Sequence, residues 1–264
     1  MYWPPPAPDT EQRMRAHHAD AAKALDVRLE LGGEFWGWAG RTLGAPARTA
    51  AGAPVWLRLV SEPTAKASGM LWDGATDAQH AFGDGTAHRA ELSPRVGQPV
   101  LSDDPILQHD LYLPDSWRTD LAEALERVSA TVTDRVAIRQ QYMDRAIPEF
   151  VGIPAPAVTC WTTAHGDLRW ANLTSPLRLL DWEGWGRAPE RFDAATLYAY
   201  SLLRPATAAH VRTVSPVLGS PAGLAAEAAV CAMLLQTVAR GDNLTLEGQL
   251  RDWSEELRGR CSSR

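Results

Sequence analysis

Between His165 and Asp193 the chain concentrates side chains that move protons and hold cations. The run His165-Gly166-Asp167-Leu168-Arg169-Trp170-Ala171-Asn172 is followed by Asp181-Trp182-Glu183 and then by Asp193. Asp167 lies five residues ahead of Asn172, on a loop expected after the short apolar strand of residues 158–163. Asp181 ends a second apolar run, residues 177–180, also read as a strand. Mg²⁺ prefers oxygen ligands, keeps several waters and takes one or two carboxylates together with phosphate oxygens. The chemistry such a set supports is phosphoryl transfer. Asp167 orients a hydroxyl and accepts its proton, while Asn172 and Asp181 are the candidate metal ligands against nucleotide phosphates.

The spacing H-G-D-x-x-x-x-N, then D-W-E, then Asp193-Ala194-Ala195, resembles the aminoglycoside phosphotransferase family of small-molecule kinases, over residues 157–200. The resemblance implies an α+β, two-lobed protein-kinase-like fold, with a small β-rich N-terminal lobe and a larger helical C-terminal lobe. It implies ATP bound between the lobes, Mg²⁺, and a small-molecule hydroxyl acceptor on the larger lobe. It also implies that Asp193 bonds the backbone of the catalytic loop. His165 is read as a packing residue and Gly166 as a point of close backbone approach. Arg169 stands where protein kinases carry a lysine near the transferred phosphoryl group, and is taken as catalytic beside Asp167. Trp170, Trp182 and Trp185 are read first as packing residues and second as the wall of an acceptor pocket.

The N-terminal half departs from the family pattern. Arg58, in Val55-Trp56-Leu57-Arg58, falls where a strand lysine would grip the phosphates, with Lys66 as the alternative cation. Strand alternation puts Trp56 on the same face as Arg58; if that face looks into the cleft, an indole occupies the space for adenine. Glu91, Glu62 and Asp77 are equal candidates for the partner of the strand cation. Gly32-Gly33, Gly37 and Gly40 form only a loose glycine pattern, favouring a bulged hairpin. Two other readings remain: a catalytically silent kinase-fold protein that binds a ligand, and a metal-dependent hydrolase using His165, Asp167 and Asp181.

The elements that must position these residues are legible in outline. At 264 residues and 45% hydrophobic, the chain is long enough for a two-lobed domain with a sizeable core. The net charge of −6, without a dense basic run, argues against nucleic acid as a partner. Its three scattered cysteines suit a reducing cytoplasm. The apolar stretch 222–239 contains Glu227 and Gln236 and is expected to be a core helix, not a membrane span. Residues 1–22, with three consecutive prolines, are expected to form an extended arm. Residues 23–108 form the expected nucleotide-binding lobe, β-like over 29–60 and with a further strand over 99–107. Residues 109–264 form the expected catalytic lobe. There Trp117, Leu121, Leu125, Val128 and Val132 line one helix face, with Ser116 as its cap. A second helix, capped by Thr133 or Asp134, is expected to stop near Pro148, with others at 192–203, 222–239 and 245–258.

Overall fold

The computed structural model describes residues 4–5, 7–37, 40–67, 78–83 and 85–262, the side chains of 66 and 78–83 excepted. The chain divides into two compact units, Met1–Gly97 and Gln98–Arg264. The division precedes the expected boundary at residue 108 because residues 98–108 bond to the second unit. There Leu101 N donates to Leu173 O at 2.8 Å and Leu107 N to Tyr200 O at 3.0 Å. The strand expected over residues 99–107 does not form. The Ser102 hydroxyl donates to Asp104 O, and the Asp104 carboxylate accepts from Ile106 N. These local bonds compete with a strand ladder.

In the first unit, residues 8–24 are helical, which corrects the expectation of an extended arm. Helix α1 (Pro8–Ala24) begins with proline at its N-terminus and with Asp9 and Glu11 in its first turn, all favourable there. Met14, His18 and Ala22 recur every four residues and are buried. Strands β1 (Val27–Leu29), β2 (Phe35–Trp36), β3 (Thr42–Thr49), β4 (Pro54–Pro63), β5 (Ala78–Gly83) and β6 (Thr86–Pro94) form an antiparallel sheet. Their order is β1-β3-β4-β6-β5, with β2 also on β3. Val55, Leu57 and Leu59 of β4 are buried in a core shared with Met14 and Ala22. By alternation, Trp56 and Arg58 take the other face.

The second unit is built on helices. Helix α2 (Asp115–Ser129) buries Trp117 and leaves Leu121 and Leu125 half-buried. Pro114, not Ser116, occupies its cap position, and Val132 lies beyond the helix and is exposed. Helix α3 (Gln140–Ala146) starts later than expected, because Thr133 spends its hydroxyl on a turn bond to Arg135 N. A π-helical turn (Ile147–Val151) extends it. Strands β7 (Trp161–Ala164) and β8 (Gly186–Pro189) pair antiparallel. Helices α4 (Phe192–Tyr200), α5 (Pro205–Val214), α6 (Leu224–Ala239) and α7 (Glu247–Ser262) complete the unit. Every residue of α4 is buried, and α6 contributes Ala226, Ala228, Ala229 and Ala232 to the same core. Glu227 on α6, fully buried, takes Gly219 N and Arg260 as partners. Among the described residues no helix is long and apolar enough to cross a membrane.

His18 gives α1 a testable signature. Its Nε2 lies 3.1 Å from Leu57 O, and burial pushes its pKa below the ordinary value. The unfolded chain therefore takes up a proton before the folded one, so stability falls as pH drops through the ordinary imidazole range. The wild-type melting temperature should fall more between about pH 7.5 and 5.5 than that of His18→Gln, which retains a donor for Leu57 O. Equal slopes in differential scanning calorimetry would remove His18 as the source.

Candidate active site

The loop after β7 is fixed by a single buried carboxylate. Asp193, at the start of α4, accepts His165 N on one oxygen at 2.7 Å and Gly166 N on the other at 3.0 Å. Burial raises the Asp193 pKa, and His165 with the two N–H groups pulls it back. Asp193 thus bonds the loop backbone as expected, whereas the helix-cap position belongs to Arg191. Gly166 has φ +84°, and a Cβ there would stand 2.1 Å from Gly184 O. Only glycine permits this approach of the loop to the 181–185 segment.

His165 is fully buried and acts through its ring nitrogens. Nε2 donates to Leu180 O at 2.8 Å, and Nδ1 accepts Asp167 N at 3.4 Å. With both nitrogens engaged, His165 offers no lone pair to a metal, which counts against the hydrolase reading. Leu180 is held from the other side as well, its N–H donating to Asn172 O at 2.9 Å. These two bonds carry residues 177–181 against the loop. The strand expected at 177–180 is reduced to a Leu173–Leu179 bridge. A strand needs a ladder of bonded partners, and here the bonds go to the loop of residues 165–172.

Asp181, next in the chain, adopts a left-handed conformation with φ 63° and ψ 61°. Aspartate tolerates that region better than most residues, and strain of this kind gathers at functional sites. Arg135 secures the turn beyond Asp181, with Nη2 on Glu183 O at 2.8 Å and Nε on Trp185 O at 3.0 Å. Asn172 is buried, and its Nδ2 donates to Asp167 O at 2.8 Å. One amide oxygen and one carboxylate are a donor set that suits Mg²⁺.

Asp167 remains 33% exposed and is paired with the guanidinium of Arg169. Burial pushes its pKa above the ordinary carboxylate range; Arg169 opposes this and Asp181 reinforces it. The structure therefore brings Asp167, Arg169, Asn172 and Asp181 together on two neighbouring loops. Trp170 is buried, and Trp182 tilts over His165 at 4.6 Å. Trp182 and Trp185 line a crevice of about 510 Å³ with Val128 and Leu179. A cavity of about 570 Å³ beside α2, α4 and α5 is lined by Trp117, Leu125, Leu197 and Val211, but not by Asp167, Asn172 or Asp181.

In the first unit, Arg58 faces Glu91 across β4 and β6, 3.7 Å apart, and Glu91 also pairs with Arg89. Glu62 pairs instead with Arg41 at 2.7 Å. Asp77 and the side chain of Lys66 lie outside the described residues. The Trp56 indole lies over Gly44, where a Cβ would come within 2.6 Å of the ring. Sequence reasoning missed Arg135, Tyr200 and Ser201 as supports of the loops. None sits in a motif, and their partners are distant in sequence or lie in ordinary helix.

Two outcomes test this geometry. Asp193→Ala strands two backbone N–H groups and should lower unfolding free energy by about 2–4 kcal/mol in urea titration. A loss below about 0.5 kcal/mol would contradict the clamp. In protein kept with a chelator, ¹³C carboxyl titration should place Asp167 above the usual range. Arg169→Ala should move it higher still, because a lowering charge is removed. No movement would mean that the pair does not form in solution.

No protein-family model matches the chain, and no curated protein matches it. Solved structures do match. Aminoglycoside phosphotransferase APH(4)-Ia aligns with TM-score 0.56 at 12% identity, covering 92% of this chain and 98% of that one. Choline kinase LicA from Streptococcus pneumoniae aligns with TM-score 0.53 at 12% identity, covering 94% and 99%. Amicoumacin kinase hAmiN, solved in complex with AMP-PNP, Ca²⁺ and Ami, aligns with TM-score 0.52 at 10% identity, covering 96% of each chain. With an antiparallel sheet in one unit and helices dominating the other, the chain has the mixed α and β, kinase-like fold of these small-molecule kinases.

Proposed function

We propose that this protein is an ATP- and Mg²⁺-dependent phosphotransferase that acts on a hydroxyl group of a small molecule. The observation that carries the reading is the clamp of Asp193 on His165 and Gly166. It fixes the backbone immediately before an accessible carboxylate, Asp167. The solved relatives act on an aminoglycoside, choline and amicoumacin, which supports a small-molecule acceptor without selecting one. ATP as donor, and three cysteines free of disulfides, support a cytoplasmic setting.

In this reading Asp167 accepts a hydrogen bond from the acceptor hydroxyl and aligns its oxygen with the γ-phosphorus. As the new O–P bond forms, the β–γ bridging P–O bond breaks. The proton passes to Asp167, and ADP leaves with the electron pair. Arg169, released from Asp167 as that group is neutralised, balances charge on the transferring phosphoryl group. Asn172 and Asp181 are the residues that would hold Mg²⁺. When bound, the ion neutralises phosphate charge. Arg58 is the first unit's cation for nucleotide phosphates, oriented by Glu91. Its planar fork can meet two oxygens where an ammonium meets one.

One observation favours the second reading, a kinase-fold protein without phosphoryl transfer: Trp56 shares the Arg58 face of the sheet. Thermal shift with ATP, with and without Mg²⁺, separates the two. Binding at about 100-fold over Kd adds about 2.7 kcal/mol. The wild type should show a Mg²⁺-dependent shift, and Asp181→Asn should lose the Mg²⁺ dependence. Asp167→Ala should keep the shift and lose about 10²–10⁴-fold in turnover against a panel of hydroxyl-bearing metabolites and antibiotics. No shift at millimolar ATP would favour the silent reading. Near-normal turnover by Asp167→Ala would dismiss Asp167 as the base.

A further inference from the structure

Helix α4 touches the catalytic loop at both of its ends, and only the first contact, through Asp193, was expected. At the other end the loop rests on Tyr200 and Ser201. The Arg169 guanidinium lies 5.9 Å from the centre of the Tyr200 ring. The next residue, Trp170, donates its indole N–H to the Ser201 hydroxyl at 2.8 Å. That hydroxyl in turn donates to Leu197 O at 2.6 Å, so its oxygen is fixed from both sides. Tyr200 is itself anchored, because its carbonyl accepts Leu107 N at 3.0 Å and its side chain is buried.

We propose that Tyr200 is the positioning residue for Arg169, holding the guanidinium over its ring while the N–H groups turn from Asp167 to the transferring phosphoryl group. The inference rests on the phosphotransferase reading. An aromatic face attracts a guanidinium through its quadrupole and uses none of the in-plane N–H donors. A carboxylate in the same place would occupy those donors and compete with phosphate oxygens. A ring therefore holds the cation and leaves its hydrogen bonds available. The neighbouring Trp170–Ser201 bond fixes the backbone from which Arg169 extends.

The test compares Tyr200→Phe, which keeps the ring, with Tyr200→Leu, which removes it. Tyr200→Leu should lower kcat by about tenfold and leave KM for ATP and acceptor within about twofold. Tyr200→Phe should retain at least about a third of kcat. In an Arg169→Ala background, Tyr200→Leu should cost little more, because the group it positions is gone. A readout independent of turnover is the Arg169 Nε–H resonance, identified by its loss in Arg169→Lys. It should carry a ring-current shift in the wild type that Tyr200→Leu abolishes. If Tyr200→Leu does not fold, Tyr200→Met, whose unbranched side chain adapts better to an irregular gap, replaces it. Wild-type kcat in Tyr200→Leu, equal losses in Leu and Phe, an undiminished cost in the Arg169→Ala background, or an unshifted resonance would each overturn the inference. A wild-type protein that phosphorylates no acceptor would sink the phosphotransferase reading and the catalytic part of this one. The resonance alone decides whether Tyr200 holds Arg169.

Discussion

The site depends on one buried carboxylate meeting two backbone N–H groups. Taking Asp193 out of water is costly, and the cost is offset only because both oxygens find donors of good geometry on His165 and Gly166. That arrangement needs a rigid support. Helix α4 supplies it, being buried along its whole length against a face of α6 in which alanines let the helices approach. With the clamp in place, the backbone entering Asp167 has little freedom. His165 passes the constraint on, since its ring bonds Leu180 and so sets where Asp181 begins. One helix start thus fixes the loop after β7 directly and the loop of Asp181 through an imidazole.

Charge economy explains the next layer. Asp167 and Asp181 are like charges on adjoining loops, and both burial and the Asp181 charge disfavour ionising Asp167. Arg169 is the cation that the loop itself supplies, and it lies two residues from Asp167, where the chain has little room to place it elsewhere. A guanidinium shared between a carboxylate and an aromatic face is held by forces of different character. One is strong and directional, the other soft and tolerant of rotation. A cation held in this way can change partner without leaving its place.

The first unit meets a different constraint. Arg58 brings a broad planar group to the face of β4, and Trp56 stands two residues away on the same side. Gly44 relieves part of the crowding, because the indole occupies the volume of the missing side chain. Glu91 then orients Arg58 from the facing position on β6 and is itself braced by Arg89, which is almost fully buried. Arg58, Trp56, Glu91 and Arg89 therefore form one neighbourhood of four side chains, with Gly44 making room for the indole.

Legibility in the sequence follows the range of the interactions. Asp167, Asn172, Asp181 and Asp193 could be singled out because they stand at short spacings, within 27 residues, in a pattern for which phosphoryl-transfer chemistry is the expectation. The helix over residues 245–258 was readable for the same reason, since helical periodicity is local. Residues 8–24 were misread because three prolines outweighed a sparse stripe of Met14, His18 and Ala22, whose partners lie on β3 and β4. Residues 177–180 have strand composition, but composition does not reveal that their hydrogen bonds go to a loop. Arg135 and Tyr200 illustrate the limit best. An arginine before a valine, or a tyrosine at a helix end, is ordinary by itself. Each acquires a role only when tertiary contacts bring a distant carbonyl or guanidinium to it, and no spacing rule encodes contacts made 30 to 50 residues away.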